Sequence, residues 1–160
     1  MSPISEKKNL TSALQKYNFF GAIFFQTFKA GEMILVAEND EETRESLLKL
    51  LVSHGYKAEG TSVDSCLKGL INTKRPELLI AGVALHKESE DFRLVKGLAE
   101  DPLLDNIPVL LMAEAVIPEK SGVRKKNPEQ IRCDGFFDKP IDVFECMNKV
   151  RKCIDPGSGA

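Results

Sequence analysis

The sequence predicts an α/β protein, a parallel sheet with helices on both faces, and three observations carry that prediction. Short, continuously apolar runs alternate with longer stretches whose apolar residues recur at helical spacing. The run Leu78-Leu79-Ile80-Ala81-Gly82-Val83-Ala84-Leu85 follows the turn residues Arg75-Pro76-Glu77 and shows no polar alternation, as expected of a strand buried on both faces. No internal repeat competes with this rhythm, and strands that alternate with helices imply right-handed crossovers between parallel neighbours.

Residues 1–32 stand apart from that rhythm. Leu14, Tyr17, Phe20, Phe24, Phe25 and Phe28 have the spacing of an apolar helix stripe, and four phenylalanines within seven residues are costly to leave in water. The residues leave three readings open: an extension that packs on its own domain or frays, a docking or dimerisation arm, or synthesis that starts at Met33.

The regular pattern occupies residues 33–154, which reads as one domain. Met33 to Ala37 is a buried-strand run, and Asn39 with Glu42 has the spacing of a capping box. The helix that follows carries Leu47, Leu48, Leu50, Leu51 and Val52 inward and ends at Gly55. Tyr56 to Thr61 reads as an edge strand, and Asp64 to Thr73 as a helix with Cys66, Leu67, Leu70 and Ile71. Beyond the central run, Phe92, Leu94, Val95 and Leu98 mark a third helix. Ile107 to Met112 reads as a fourth strand, with Pro108 tolerable only at its beginning. Residues 114–132 are the least regular, with Pro118, Pro128 and the basic run Arg124-Lys125-Lys126, and a short helix is expected near Pro128 to Cys133. Gly135 to Asp138 reads as a fifth strand. Val143, Phe144, Met147, Val150 and Ile154 give a final amphipathic helix, and 155–160 has the composition of a flexible tail.

Composition excludes several function classes. A chain of 160 residues is about one domain, and its 42% apolar and 29% charged content is ordinary for a globular protein. A formal charge of -2 gives no general pull toward nucleic acid, and Arg124-Lys125-Lys126 lacks the aromatic interleaving of a nucleic-acid site. Cys66, Cys133, Cys146 and Cys153 form no Cys-x-x-Cys spacing, and only His54 and His86 could complete a metal site. Reduced thiols in a cytoplasmic protein are the expectation, with no metal. No run reaches the roughly 18 apolar residues of a membrane span. Phe19 to Phe25 superficially resembles a signal peptide, but its core is short and Phe28-Lys29-Ala30-Gly31 is a poor cleavage site.

In open parallel sheets the ligand site lies beyond the carboxyl ends of the central strands. Here that end carries Ala81, Gly82, Val83 and Ala84, none of which can accept a phosphoryl group, bind a metal or move a proton through its side chain.

The order Ile34-Leu35-Val36-Ala37-Glu38-Asn39-Asp40, Arg75-Pro76-Glu77-Leu78-Leu79-Ile80, Asp101-Pro102-Leu103-Leu104-Asp105-Asn106-Ile107-Pro108-Val109 and Gly135-Phe136-Phe137-Asp138-Lys139-Pro140 resembles the receiver domains of bacterial two-component response regulators. That resemblance implies a flavodoxin-like, five-stranded parallel sheet in the order 2-1-3-4-5. It also implies a pocket in which an aspartate accepts a phosphoryl group from a histidine kinase, an acidic pair holds Mg²⁺, a Thr or Ser contacts the phosphoryl group and a lysine neutralises it. Carried over by position, the acidic pair falls on Glu38 and Asn39, the phosphoacceptor on Gly82, the hydroxyl residue on Ala113 and the lysine on Lys139. The switch aromatic falls on Phe136 and the following proline on Pro140. The acceptor-loop Leu-Pro is Leu85-His86, and the segment to Phe92 is about one residue longer than usual.

A pocket without nucleophile, hydroxyl or complete acidic pair lacks the positioning and charge neutralisation that phosphoryl transfer needs, so no catalytic residue and weak or absent Mg²⁺ binding are expected. The implied function is a phosphorylation-independent pseudo-receiver that binds a protein partner. Its docking face would comprise the segment before the fifth strand, the fifth strand and the final helix, including Phe136, Pro140, Asp142 and Glu145. A homodimer through this face or through residues 1–32 is a further expectation. Two alternatives are a small-anion or metabolite sensor using the vacated space beside Lys139, and an atypical receiver phosphorylated at Glu88 or Asp91.

Overall fold

The computed structural model describes residues 33–84, 89–114 and 131–155. Its strands are β1 (Ile34–Ala37), β2 (Ala58–Thr61), β3 (Leu78–Val83), β4 (Val109–Glu114) and β5 (Gly135–Lys139). All four pairings are parallel, and the order is β2-β1-β3-β4-β5. This is the flavodoxin-like sheet expected from the sequence.

Both faces of the sheet are covered, which is why the strands read as continuous apolar runs. Leu35, Ala37, Leu79, Ala81 and Leu111 face one core with α2 (Leu67–Lys74) and α3 (Glu90–Ala99). Ile34, Val36, Leu78, Ile80 and Leu110 face the other with α1 (Glu41–Ser53) and α4 (Val143–Ile154). Each fully buried Leu or Ile contributes about 1.5–3 kcal/mol.

The helix starts correct two expectations. Asp40, not Asn39, caps α1: its carboxylate accepts from the Thr43 backbone N–H at 2.9 Å. Asn39 is engaged elsewhere, because its Oδ1 accepts from the Val63 N–H at 2.7 Å. The second helix begins at Leu67 rather than Asp64, whose carboxylate instead accepts from the Cys66 N–H at 2.8 Å and holds the turn before it. Ser89 caps α3 through the Phe92 N–H. The left-handed residues at Gly55 (φ 90) and Arg75 (φ 48) follow α1 and α2 and end them.

Strand limits differ by small amounts. The edge strand β2 begins at Ala58 rather than Tyr56, and β4 begins just after Pro108, which has no N–H to donate but accepts from Leu79 N at 3.0 Å through its carbonyl. Ile131 to Cys133 is not helical, while 128–130 lies outside the described residues, as do residues 1–32 and 156–160. Helix α4 buries Cys146, Met147 and Val150, but Val143 and Phe144, expected on its inner stripe, are 49% and 83% exposed. At about 100° per residue Phe144 sits about 120° or more around α4 from Cys146 and Val150, off the covered face, and Val143 lies on the first turn.

The four cysteines are free. Burial pushes the Cys146 thiol up to about 12, whereas Cys66 is exposed. An aromatic disulfide reagent at pH about 8 is therefore expected to label Cys66 first and Cys146 only after denaturation, because the thiolate is the reactive form. Intact-protein mass spectrometry against time checks the order.

Candidate functional site

Strands β1, β3, β4 and β5 end together at one edge of the sheet. Register sets Ala37 beside Ala81, Val83 beside Ala113, and Ala113 beside Asp138. The residues that follow β1 and end β5, Glu38 and Lys139, are brought into contact across this edge.

Glu38 is 4% exposed, the one buried charged residue among those described. Its backbone is pinned on both sides: the N–H donates to Thr61 O at 2.9 Å, and its carbonyl accepts from Arg44 Nη1 at 2.7 Å. The side chain is pinned as well. Oε2 accepts from the Asp40 N–H at 3.0 Å, and Oε1 forms an ion pair with Lys139 Nζ. The side chains of Lys139 and Glu38 are 19% and 5% exposed, so the pair is weakly screened by solvent.

Gly82 lies against this carboxylate. A Cβ at Gly82 would stand 2.5 Å from Glu38 Oε1 and 2.8 Å from Glu38 Cδ, closer than Cβ atoms approach heavy atoms in folded proteins. The space a side chain at position 82 would enter is therefore not vacant: the Glu38 carboxylate fills it and meets Lys139 there.

The Asn39 amide is also spent on structure. Asn39 is exposed, and its amide joins two elements: Oδ1 accepts from Val63 N at 2.7 Å, and Nδ2 donates to Asp91 Oδ2 at 2.9 Å on the first turn of α3. Replacing Asn39 with Asp removes the second bond and sets two carboxylates against each other. Asn39→Asp is expected to lower stability by about 1 kcal/mol without creating Mg²⁺ affinity. Urea denaturation with and without Mg²⁺ measures both.

Ala113 is 1% exposed and supplies no hydroxyl. Phe136 is half-buried and packs toward the core shared with α2 and α3, while Phe137 points into the opposite core. Pro140 follows Lys139 across a cis peptide. Asp142 caps α4 by accepting from the Glu145 N–H at 2.9 Å, and Glu145 pairs with Lys149 at 3.2 Å. Leu85, His86 and Glu88 lie outside the described residues.

A cavity of about 300 Å³ opens beside the ion pair, between the start of α1 and the β5–α4 turn, and Asp40, Glu42, Thr43 and Lys139 help line it. The Thr43 hydroxyl and backbone N–H hold the Asp40 carboxyl below its ordinary range, so this rim is anionic at neutral pH.

Mg²⁺ does not fit these residues. The metal prefers anionic oxygens in a strict octahedron. Here the Glu38 oxygens are taken by Lys139 and Asp40 N–H, the Asn39 oxygen is taken by Val63, and Gly82 brings none. Among the described residues no group of three or more His, Cys, Asp or Glu side chains could hold a metal. Nor, among them, is any helix long and apolar enough to cross a membrane.

Sequence reasoning located Glu38, Asn39, Gly82, Ala113 and Lys139 at this edge but missed the roles of Asp40 and Thr43, and it offered Asp91 as an atypical acceptor rather than as the partner of Asn39. The Asp40–Thr43 spacing is itself a capping signal; the contact with Asp91 spans 52 residues and leaves no local trace.

No protein-family model matches the chain, and no curated protein matches it. Solved structures do. The signal receiver domain of a signal transduction histidine kinase from Syntrophus aciditrophicus superposes with a TM-score of 0.63 at 24% identity, covering 81% of this chain and 95% of that one. A response regulator from Chloroflexus aurantiacus gives 0.61 at 22% identity over 78% and 98% of the two chains. The Vibrio cholerae chemotaxis protein CheY4 gives 0.60 at 18% identity over 78% and 99%. What the chain shares with these proteins is the receiver fold.

Proposed function

We propose that the chain is a pseudo-receiver, a phosphorylation-independent protein-interaction module in signalling. The observation that carries this reading is the Glu38 carboxylate in the space of a Gly82 side chain, already paired with Lys139. In a receiver pocket the lysine is neutralised by the phosphoryl group; here an internal carboxylate neutralises it permanently. The site has no nucleophile at the strand end, and its remaining polar groups are committed to one another.

Output then depends on surface shape rather than on chemistry. The face offered to a protein partner is β5, α4 and the segment between β4 and β5, with Phe136, Pro140, Asp142 and Glu145 on it. Glu38 also weakens the anion-sensor reading, because an anion beside Lys139 would meet a buried carboxylate and the anionic Asp40 rim. Asp91, the described candidate for an atypical acceptor, is hydrogen-bonded to Asn39 rather than placed beside Lys139.

Incubation with acetyl phosphate and Mg²⁺, followed by intact-protein mass spectrometry, tests the reading. No phosphoryl adduct is expected. An acid-labile adduct that disappears in Asp91→Asn or Glu88→Gln would replace this function with the atypical-receiver one.

A further inference from the structure

Val143 and Phe144 are the exposed large hydrophobic residues among those described, and they are adjacent on the first turn of α4. Carboxylates surround them. Asp142 and Glu145 flank them in sequence, and across the 300 Å³ cavity that ends at Pro140 and Ile141 stand Asp40 and Glu42 of the α1 start. The nearby cations are engaged: Lys139 with Glu38, Arg44 with the Glu38 carbonyl and Lys149 with Glu145. The surface is an apolar spot in an anionic frame. An exposed phenylalanine in such a frame suits a cationic, aromatic-rich segment.

The chain contains such a segment ahead of Met33. Within residues 1–32 the aromatic stretch 17–29 holds Phe19, Phe20, Phe24, Phe25 and Phe28 with Lys29 and no acidic residue, and Lys16 immediately precedes it, so the charges that bracket the aromatic residues are both positive. Reach is not limiting. Phe28 is five residues before Met33, a span of up to about 17 Å when extended, and each earlier residue adds about 3.4 Å. Strand β1, which the segment must pass to reach the anionic end of the sheet, is only four residues long.

A second groove, of about 550 Å³ beside β5, is lined by Phe136 and Leu110 but carries Asp134, Lys152 and the Glu145-paired Lys149, a mixed rim that offers a cationic segment no net attraction.

We propose that residues 17–29 dock in cis on the surface formed by Val143 and Phe144 and framed by Asp40, Glu42, Asp142 and Glu145. The segment covers the first turn of α4 and so occupies part of the face through which a partner would bind.

A photo-reactive phenylalanine analogue placed at Phe144 in the full chain tests the contact, since an exposed position tolerates the replacement. Irradiation followed by peptide mapping is expected to join position 144 to a peptide within residues 17–29. A mixture of light and heavy isotope-labelled protein is expected to give crosslinks within one isotopic chain. The charge-reversal variant Lys16→Glu/Lys29→Glu, or salt raised to about 0.5 M, is expected to lower the yield roughly three-fold or more. Absence of the 17–29 peptide overturns the proposal. So do crosslinks that join light to heavy chains, which would make the occupant a second copy, and a yield that ignores both charge reversal and salt.

Discussion

Lys139→Met is expected to lower the unfolding free energy by about 3 kcal/mol, because removing one partner of a buried ion pair leaves the other charge uncompensated. Glu38 stays where it is when the lysine is gone: its side chain is 5% exposed, and its backbone is held by Thr61 and Arg44. The pair is not thereby a large source of stability, since desolvation of both ions offsets most of their attraction. The double variant Glu38→Gln/Lys139→Met, which removes both charges and keeps an oxygen for the Asp40 N–H, is accordingly expected to recover most of the loss. Urea denaturation of the wild type, both single variants and the double variant forms the cycle that isolates the coupling. A Lys139→Met loss below about 1 kcal/mol would mean that the pair is solvated rather than buried.

Gly82→Asp places a carboxylate at the position that the receiver resemblance assigns to the acceptor, yet it is expected to yield a less stable protein and no phosphoryl adduct. The new Cβ meets Glu38 Oε1 at 2.5 Å, so the glutamate must leave its place against Lys139 or the strand must shift. Overpacking of this kind costs about 1–3 kcal/mol, and a second carboxylate beside a buried first one adds repulsion. The double variant Glu38→Ala/Gly82→Asp is expected to regain stability, because the introduced carboxylate inherits the freed space and the lysine. Denaturation midpoints for the pair and the single variants check this, and a Gly82→Asp protein as stable as wild type would show that Glu38 does not fill the site.

The fold was legible because its physics is local and repetitive. Strands β1 and β3 are buried on both faces, so Ile34 to Ala37 and Leu78 to Val83 read as uninterrupted apolar runs. The amphipathic spacing of α1 and α3 is as clear. Which of two adjacent side chains caps a helix was not legible: Asn39 and Asp40 both suit an N-cap, and the choice is made by Val63, 24 residues away. Val143 and Phe144 lie in α4 as expected but are uncovered, because a loose helical spacing admitted Phe144, which sits off the face that Cys146 and Val150 bury.

The site divides in the same way. That Gly82, Asn39 and Ala113 carry no nucleophile, carboxylate or hydroxyl is a statement about residue types, and the chain states it directly. That Glu38 closes the gap is a statement about reach across the sheet edge, between residues 44 positions apart (82 − 38). The pairing of a long carboxylate at the end of β1 with a bare backbone at the end of β3 is the signal that could have suggested it. Reading Gly82 alone suggests a vacancy, which the structure replaces with an occupied site.

The central claim is that the strand-end site is closed by its own residues and answers no phosphoryl group. A titration of isotope-labelled full chain with beryllofluoride and Mg²⁺, followed by NMR of the backbone amides, tests it most directly. The account predicts no saturable shift at Glu38, Gly82, Ala113 or Lys139. Saturable, Mg²⁺-dependent shifts centred on Gly82 and Lys139 would contradict it.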